Sequence, residues 1–478
     1  ILAQDASAPA VKPTSFSESV YIYNFEACAS HQASMANRVL CTLSFVLCAN
    51  TVYPLEIVAD DAIPSFEEYM VKFKRAYGAD SKEYSQRKAL FHARAHEIKH
   101  QNSNPLRLWT AGVNHLTDRT ESELEALRNR KGVLAARAEL GTPLTAAQQD
   151  ADVSKGHKNR QLRSKQQKQL SAEPDYGCPA DANGFHSDGN ETLWEGRNES
   201  GDLPGEYSWV GHVPTLDMIR DQGPCGSCWA VTSSTVLWAH HELLGVKNRT
   251  FSTQELVDCV PNPEECGGTG GCEGATVELA YDWVLRYGLA TVEERPYAGM
   301  DMHAQCVGDS VSSANILASS GIHRVPAGRS HDRSRAVSMQ AFVKLPSNRY
   351  WPLMYALVNE GPVAISVAAS PWSNYQSGIF DGCSVDAEVD HAVVLVAYGQ
   401  EQVDGSLVKY WTIQNSWSDA WGEEGRIRML RKDTDDLDQC GTDHHPEVGL
   451  GCKGGPPSVC VCGMCGMLFD SVYPVMKK

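Results

Sequence analysis

Residues 222–230 read Gln-Gly-Pro-Cys-Gly-Ser-Cys-Trp-Ala, and this stretch decides how the rest of the chain is interpreted. Its second cysteine, Cys228, stands where a helix is predicted to begin, with Trp229 directly after it. The thiolate is the reactive form of cysteine, and the N-terminus of a helix favours that charged form. The stretch therefore indicates a nucleophilic cysteine. Half of a disulfide is the alternative that these residues alone leave open.

A cysteine nucleophile requires a base, and the base requires a third group that orients it. The segment Val-Asp-His-Ala-Val supplies His391 directly before an apolar stretch, and Asn-Ser-Trp-Ser-Asp-Ala-Trp-Gly supplies Asn415. His391 is expected to take up the proton of Cys228, while Asn415 orients the imidazole ring. The Gln222 side chain and the backbone N–H of Cys228 are expected to stabilise an oxyanion. The predicted catalytic residues are therefore Cys228, His391, Asn415 and Gln222.

In type and order these segments resemble the active-site segments of the papain family of cysteine peptidases, and the resemblance runs over residues 203–478. It implies an α+β fold of two lobes, a helical left lobe and a β-barrel-like right lobe, with the site in the cleft between them. It also implies a cysteine endopeptidase that acts through a Cys–His ion pair and a thioester acyl-enzyme. A catalytically silent binding or storage protein and an exopeptidase of the same fold are the alternatives.

Residues 60–130 are expected to form a helical propeptide. Aromatic residues from Phe66 to Tyr77 recur at spacings of three and four, which predicts an amphipathic helix, and a second, charged helix is predicted from Ser81 to Asn102. The second helix resembles the ERFNIN helix of cathepsin L-like propeptides, with Arg94 in place of an asparagine, at Glu83, Arg87, Phe91, Ile98 and Asn102. The segment with Gly112, Asn114, Leu116 and Asp118 resembles the GxNxFxD pattern of the same propeptides, with Leu116 in place of the phenylalanine. The resemblance implies a zymogen whose propeptide inhibits the enzyme from within the cleft and is released at acid pH.

Sixteen cysteines are many for a cytosolic enzyme and indicate an oxidising compartment. The papain resemblance implies three disulfides by position: Cys225–Cys272, Cys259–Cys306 and Cys383–Cys465. It also implies an insertion over residues 435–462, which contains Cys440, Cys452, Cys460 and Cys462. Four cysteines allow three pairings, and the sequence does not choose among them. A pair between Cys178 and Cys266 is a further expectation, and a zinc site with His444 and His445 is the lesser alternative for the insertion.

The same resemblance implies a set of substrate-binding residues: Gly274, Ala275, Val277, Ser366, Ala392, Trp417 and Asp470. Asp470 is expected at the floor of the pocket for the second residue upstream of the cut. With Ser366 beside it, this carboxylate predicts that Arg or Lys is accepted there besides hydrophobic residues. Ala275 replaces a family glycine that contacts the substrate backbone, so its methyl group is expected to narrow the approach slightly. Trp417 is expected to cover the hydrogen bond between His391 and Asn415.

The remaining segments have sequence patterns that are typical of signal peptides, activation regions and glycosylation sites. Residues 1–34 are expected to be an upstream extension and residues 35–53 a signal peptide, because a basic residue follows Met35 and an apolar run follows that residue. A buried helix or strand is the alternative for the apolar run. Residues 131–202 are expected to be a linker and activation region, since their central part is basic and poor in core-forming residues. Three glycosylation acceptors of the type N-x-[ST] occur, at Asn190, Asn198 and Asn248.

The charge and composition of the chain exclude some partners. A formal net charge of −17 argues against a nucleic-acid-binding protein, and no stretch is long and apolar enough to predict a membrane span. We expect protein and peptide substrates, inhibition by the chain's own propeptide, and cystatin-like inhibitors as further partners. No cofactor and no metal are expected. The predicted location is the secretory pathway, with a lysosomal, endolysosomal or extracellular destination.

Overall fold

The structure is a computed structural model that describes residues 63–128, 203–246, 250–302, 306, 339–432 and 439–476. All of these residues belong to one unit of the chain, residues 63–478. The predicted upstream extension, signal peptide and linker lie outside the described residues, as do the three glycosylation acceptors and Cys178.

Helices dominate the described chain up to Tyr287, and strands dominate it from Met339 onward. The α-helices are α1 (Phe66–Lys72), α2 (Lys82–Asn102), α3 (Glu121–Ala126), α4 (Cys228–Leu243), α5 (Thr253–Cys259), α6 (Val277–Tyr287) and α7 (Tyr350–Asn359). The strands are β1 (Trp109–Ala111), β2 (Tyr207–Ser208), β3 (Met339–Lys344), β4 (Val363–Val367), β5 (Tyr375–Phe380), β6 (His391–Val403), β7 (Ser406–Gln414), β8 (Arg426–Arg431), β9 (Cys440–Asp443), β10 (Val459–Cys462) and β11 (Ser471–Met476).

The first two helices begin at residues that cap them. The Ser65 side chain accepts a hydrogen bond from the backbone N–H of Glu68, whose side chain accepts one from the N–H of Ser65. This reciprocal arrangement is a capping box, and Ser81 caps α2 through its side-chain oxygen. Helix α1 is shorter than the aromatic spacing predicts and ends at Lys72. The chain leaves the helix there because Lys74 has a left-handed φ of 52°.

Residues of the ERFNIN-like pattern hold the propeptide together. Phe91 lies in the buried aromatic cluster of the propeptide. Asn102 exchanges two hydrogen bonds, of 2.8 and 2.9 Å, with the backbone of Ala111 in β1. Arg94 departs from the pattern, yet it is buried and donates to the two carbonyl oxygens of residues 116 and 117, at 3.2 and 3.0 Å. Its long side chain therefore ties α2 to the segment that precedes α3.

Nine strands form one sheet in the order β1-β5-β8-β7-β6-β4-β11-β3, and β2 pairs with β6 beside this path. All of these pairs are antiparallel except the pair of β5 and β8. The propeptide strand β1 adds to the edge strand β5 of the downstream domain, so main-chain hydrogen bonds dock the propeptide. Strands β9 and β10 form a separate two-stranded sheet within the predicted insertion.

Two separate apolar clusters make the cores of two lobes. One cluster surrounds α4 and α6 and includes Trp229, Leu256 and Tyr281. The other lies within the strands and includes Trp372 and Trp411. Each is contiguous and buries large aromatic side chains, as the core of an independently packed layer does. The predicted α+β fold, with a helical left lobe and a strand-rich right lobe after a helical propeptide, is confirmed.

Five disulfides join cysteines of the described residues. Three are the pairs that the resemblance implies: Cys225–Cys272, Cys259–Cys306 and Cys383–Cys465. Within the insertion Cys440 pairs with Cys462, whereas Cys452 pairs with Cys266 of the left lobe. The expected pair of Cys178 and Cys266 is therefore wrong. The reason is that residues 446–453 reach across to a left-lobe loop that is remote in sequence. Cys460 is also disulfide-bonded.

Candidate active site

The predicted nucleophile is the first residue of α4. Cys228 is fully buried, and its sulfur accepts a hydrogen bond of 3.5 Å from the backbone N–H of Ala392 on the other lobe. It is a thiol and not part of a disulfide. Ser227 precedes the helix without capping it through its side chain. The positive end of the helix dipole is thus directed at the sulfur, which favours the thiolate.

The predicted base begins β6 and lies against the predicted orienting residue. Nε2 of His391 lies 2.8 Å from Oδ1 of Asn415, and because an amide oxygen only accepts, this ring nitrogen donates. The Trp417 ring packs on the imidazole with 5.0 Å between centroids, and Trp372 meets the same ring edge-on. Nδ1 of His391 is buried and makes no hydrogen bond to any described residue. Two tryptophans therefore shield the His391–Asn415 pair from water.

The propeptide-bound form disfavours a charged imidazole. Burial lowers the pKa of His391 from 6.5 to about 4. The Arg128 guanidinium also lowers this pKa, while the hydrogen bond to Asn415 and the Asp390 carboxylate act in the opposite direction. Desolvation outweighs both, because a charged ring without water contacts loses its hydration. His391 is therefore neutral in the zymogen at pH values well above 4.

The Gln222 side chain holds a propeptide carbonyl group. Its Oε1 accepts from the hydroxyl of Ser416 at 2.6 Å, and its backbone N–H donates to the carbonyl oxygen of Ser416 at 2.9 Å. This orientation turns Nε2 toward two carbonyl oxygens, that of Cys225 at 2.9 Å and that of Leu127 at 3.1 Å. The Leu127 carbonyl therefore occupies a donor that was predicted to serve an oxyanion.

Arg128 brings a positive charge from the propeptide into the same region. The side chain is 2% exposed, and its Nε lies 3.3 Å from Oδ2 of Asp390, while Nη2 lies 3.1 Å from Glu121. The other carboxylate oxygen of Asp390 accepts from the backbone N–H of Ala369 at 3.0 Å. Since Asp390 directly precedes His391, the guanidinium pairs with the carboxylate next to the predicted base.

Three predicted pocket residues lie together on neighbouring strands. Ser366 of β4 faces Ala392 of β6 in register, and its hydroxyl donates to Oδ2 of Asp470 at 2.7 Å. The second carboxylate oxygen of Asp470 lies 3.0 Å from Nζ of Lys344. That ammonium group also lies 2.8 Å from Glu278, which follows Val277 in α6. The structure thus joins both lobes at this pocket through one lysine.

The Lys344 ammonium group shares its one positive charge between Asp470 and Glu278. Burial and the neighbouring Glu278 carboxylate raise the pKa of Asp470, and the hydrogen bond from Ser366 and the Lys344 cation oppose that rise. A basic substrate side chain would have to compete with Lys344 for a carboxylate that is 3% exposed. The acceptance of Arg or Lys in this pocket therefore stays a prediction. The pairing of Lys344 in β3 with Asp470 could not be predicted from the sequence, because 126 positions separate the two residues.

The other predicted substrate contacts lie on the left-lobe wall. Gly274 and Ala275 are both buried, and Gly274 has a φ of 100° that an alanine would not tolerate well. The carbonyl oxygen of Cys272, two residues earlier, accepts from the N–H of Gly226 at 3.0 Å. A Cβ atom at Gly226 would stand 2.5 Å from this oxygen and 3.1 Å from the propeptide carbonyl of Ala126. This wall therefore runs directly beside the loop of the nucleophile.

Two side chains that contact the site, those of Ser416 and Arg128, were not predicted from the sequence. Ser416 positions Gln222, and its only local signal is its place between Asn415 and Trp417. Arg128 pairs with Asp390 and carries no local signal at all, since one arginine in a charged propeptide is unremarkable in composition.

Metal and membrane features are absent from the part of the chain that is described. No group of three or more His, Cys, Asp and Glu side chains there is arranged to hold a metal ion. His444 and His445 are exposed on the insertion. Of the helices within the described ranges, none is both long and apolar enough to cross a membrane.

Comparison with known proteins places this fold and site in a family. A family model described as papain family cysteine protease matches residues 203–450, and one described as cathepsin propeptide inhibitor domain matches residues 66–124. A cysteine at a helix start, a histidine–asparagine pair and an occupying propeptide define the class of cysteine hydrolases made as zymogens. The chain belongs to the papain family of cysteine proteases.

Curated relatives from plants match part of their own length. Vignain from Ricinus communis is 33% identical over 278 residues, which are 58% of this chain and 61% of that protein. Thiol protease SEN102 from Hemerocallis is 32% identical over 247 residues, which are 49% of this chain and 59% of that protein. The chain thus spans less than two thirds of the length of these relatives.

Solved structures share the fold. The digestive procathepsin L2 proteinase from the larval midgut of Tenebrio molitor has a TM-score of 0.54 at 22% identity and covers 86% of this chain and 98% of its own. The recombinant stem bromelain precursor has a TM-score of 0.53 at 22% identity with the same coverage. Both are precursor forms, and at these identities the likeness concerns the fold.

Proposed function

We propose that this chain is the zymogen of a cysteine endopeptidase that hydrolyses peptide bonds of proteins and peptides. The observation that carries the proposal is the Leu127 carbonyl group, which receives the Nε2 hydrogen bond of Gln222 at 3.1 Å. A peptide carbonyl from the chain itself lies at the donor that substrate hydrolysis would use. Cys228 begins α4 and His391 begins β6, and the sulfur of Cys228 lies 3.5 Å from the backbone nitrogen of Ala392, the residue after His391.

The proposed chemistry uses four side chains, those of Cys228, His391, Gln222 and Asn415. Cys228 gives its proton to Nδ1 of His391, and the thiolate attacks the substrate carbonyl carbon. Nε2 of Gln222 and the N–H of Cys228 donate to the oxyanion that forms. The intermediate collapses to a thioester while His391 protonates the leaving amine. Water, deprotonated by His391, then hydrolyses the thioester, and Asn415 keeps the ring oriented throughout.

The propeptide is proposed to inhibit in two ways. It fills the site with the Leu127 carbonyl, and it lowers the pKa of His391 through burial and through the Arg128 charge. Its departure would return water to the imidazole and remove that positive charge. Both changes favour the imidazolium, and thereby the Cys228–His391 ion pair. The same linkage predicts that acid promotes release, because only the released form binds a proton on His391 readily.

The cellular setting is proposed on composition and disulfides. Five disulfides between described cysteines favour passage through an oxidising compartment, hence the secretory pathway. A signal peptide at residues 35–53, glycosylation of the acceptors named above, and a lysosomal or extracellular destination belong to the same proposal. Cystatin-like inhibitors are proposed as partners of the mature site, because they would meet the same cleft.

The test is active-site titration of the full chain after acid activation. A thiol-directed epoxysuccinyl inhibitor should label the enzyme one-to-one, with parallel loss of hydrolysis of a fluorogenic Phe-Arg substrate. Cys228→Ser, processed by added wild-type enzyme, should lose both properties, whereas the exposed control Ser406→Ala should keep them. A wild-type chain that matures and stays folded but neither labels nor cleaves would contradict the proposal and favour a binding protein.

A further inference from the structure

The insertion is joined covalently to the left lobe. We call residues 446–453 the strap, and it belongs to the right lobe, since it lies between β9 and β10. Cys452 of the strap is bonded to Cys266, which lies in the left lobe between α5 and α6. A sequence separation of 186 residues between the two cysteines reflects this passage from one lobe to the other.

Main-chain contacts hold the strap to the left wall on both sides of the disulfide. The N–H of Gly267 donates to the carbonyl oxygen of Gly451 at 3.1 Å, and the N–H of Lys453 donates to that of Glu264 at 2.8 Å. A Cβ atom at Gly267 would stand 2.8 Å from the carbonyl oxygen of Ala275. The strap therefore contacts Gly267, and Gly267 in turn packs against Ala275, which was predicted to contact the substrate backbone.

The right-hand end of the strap lies on the residues that precede the predicted base. A Cβ atom at Gly449 would stand 1.7 Å from the carbonyl oxygen of Val389, so only glycine permits this approach. The N–H of Val389 donates to Oδ2 of Asp443 at 3.0 Å, which anchors the base of the strap. Val389 is two residues before His391, a chain distance of at most about 7 Å.

These contacts fix where the crossing lies. Gly449 on the right wall and Gly451 on the left wall are two residues apart, so their Cα atoms are separated by at most about 7 Å. The propeptide reaches the site from another direction, through β5 and a hydrogen bond of 2.8 Å from Asn114 to the carbonyl oxygen of Ser373. The carboxylate of Asp390 faces the propeptide, whereas the carbonyl of the preceding Val389 faces the strap.

We propose that the strap closes the end of the cleft that receives residues upstream of the cut, and confines the mature enzyme to bonds near the N-termini of its substrates. An extended chain advances about 3.3 Å per residue, so the distance of at most about 7 Å between the Cα atoms of Val389, which the strap contacts, and His391 corresponds to about two substrate residues. The enzyme with a closed strap removes short N-terminal pieces, and cleavage of interior bonds requires the strap to be opened. This inference rests on the proposed peptidase function, and for the enzyme with a closed strap it replaces the endopeptidase specificity proposed above by cleavage near the substrate N-terminus.

The first experiment is a length series with the wild-type enzyme, obtained by acid activation of the full chain. Fluorogenic Phe-Arg amides carry zero, one, three or five additional residues on their N-terminal side, and kcat/KM is measured for each. We expect kcat/KM to fall about 10-fold or more between zero and three additional residues, which is about 1.4 kcal/mol. Equal values along the series would overturn the proposal without any variant being needed.

The second experiment removes the disulfide of the strap. Cys266→Ser/Cys452→Ser should flatten the length series to within about 3-fold, because the strap can then swing away from the left wall. The matched control Cys440→Ser/Cys462→Ser removes a disulfide inside the insertion and should keep the dependence on length. Mass spectrometry of a long N-terminally acetylated peptide should show interior cuts with the first variant and few with wild type.

The outcomes separate this inference from the proposed function. Loss of both epoxysuccinyl labelling and cleavage in the wild-type enzyme means that the peptidase proposal itself fails. Labelling together with rapid interior cleavage by the wild-type enzyme means that the peptidase proposal stands and the strap proposal falls. A length dependence that persists unchanged in Cys266→Ser/Cys452→Ser also counts against the strap as its cause.

Discussion

The propeptide and the strap both contact residues next to the predicted base, and different forces hold the two segments. The propeptide segment 109–128 is held by strand pairing with β5, by the Gln222 hydrogen bond and by the Arg128–Asp390 ion pair. The strap is held by a disulfide, by two main-chain hydrogen bonds and by the close approach of Gly449 to Val389. The strap also has an exposed ion pair, Lys453 with Glu265 at 2.8 Å, so the difference between the two sets is the covalent cross-link, which only the strap has.

This difference suits two different roles. A segment held by strand addition and ion pairs can dissociate when protonation or proteolysis weakens a few contacts. A segment held by a covalent cross-link stays in place after the propeptide has left, and it also restrains the unfolded chain. The propeptide is therefore arranged to be lost, whereas the strap is arranged to shape the mature cleft.

The largest effect is expected at Gln222, which contacts the propeptide and is proposed to act in catalysis. Gln222→Ala should lower kcat/KM of the mature enzyme about 100- to 1000-fold, through loss of about 2.7–4 kcal/mol of oxyanion stabilisation. The ratio between short and extended substrates should stay as in wild type, because the strap is unchanged. Steady-state kinetics on the length series measures both quantities, with the exposed Gln402→Ala as control. A loss below about 5-fold would contradict the assigned role.

The next effect is a loss of zymogen stability in acid. The pKa of His391 is about 4 in the folded zymogen and about 6.5 in the unfolded chain, so the unfolded state binds the proton first as pH falls. Stability should therefore decline between pH 6.5 and pH 4, by about 3 kcal/mol for this group, and its contribution should change little below pH 4. Urea unfolding of the full-length Cys228→Ser chain at pH 6.5, 5 and 4 measures the decline.

A histidine elsewhere serves as the matched control for this pH effect. Burial lowers the pKa of His240 to about 4 as well, but Nε2 of His240 donates to the carbonyl oxygen of Pro362 at 2.8 Å, and its ring stacks on Tyr473 of β11. In the zymogen, His391→Gln should reduce the loss of unfolding free energy between pH 6.5 and pH 4, and His240→Gln should reduce it by a similar amount. After the propeptide has been cleaved off, the contribution of His391 to this pH dependence should disappear, whereas that of His240 should remain. Identical behaviour of both variants would refute the link between propeptide and imidazole.

A smaller effect is expected at Arg128. Arg128→Ala removes the buried ion pair with Asp390 and the hydrogen bonds that the guanidinium donates to Glu121 and to the carbonyl oxygen of Ser370, and hydrogen bonds to charged groups contribute about 1.5–3 kcal/mol. Activation of the full chain at a fixed pH should therefore proceed about 10- to 100-fold faster, provided that propeptide release limits it. The rate of appearance of Phe-Arg hydrolysis measures this change. Unchanged activation would show that β1 and Leu127 alone retain the propeptide.

The smallest effect is expected at the exposed ion pair of the propeptide. Lys88 lies 2.7 Å from Glu67, but both side chains are well exposed. Exposed pairs contribute about 0–1 kcal/mol, so Lys88→Ala should change the activation rate less than about 5-fold. The same activation assay provides the comparison with Arg128→Ala. An effect as large as that of Arg128→Ala would mean that folding of the propeptide, and not its charge in the cleft, controls release.

The helices and most of the site could be predicted because their signals are local. Ser81 marks the start of α2 within one turn, and Cys228 is identified by its immediate neighbours. His391 and Asn415 each lie in a short motif at the beginning or end of an apolar strand. Contacts between remote segments were predicted only where a family pattern already connects them, as for the three implied disulfides.

No family pattern connects Asp470 or Cys266 with the residue that it contacts in the structure. Lys344 reaches Asp470 because β3 and β11 are neighbours in the sheet, and this adjacency decides the charge of the pocket. Four cysteines in the insertion left three pairings open, and the pairing that forms for Cys452 lies outside the insertion altogether.

The sequence by itself determined the class of chemistry, the two-lobe fold and the presence of a propeptide, because a nucleophile, a base and helix caps are specified by residues close together in the chain. Only the tertiary structure decided which charges meet and which end of the cleft is covered. Those properties depend on distances between residues that are far apart in sequence, and packing of the two lobes sets these distances. The Cys266–Cys452 crossing is the clearest case, since it joins loops of different lobes beside the reacting centre.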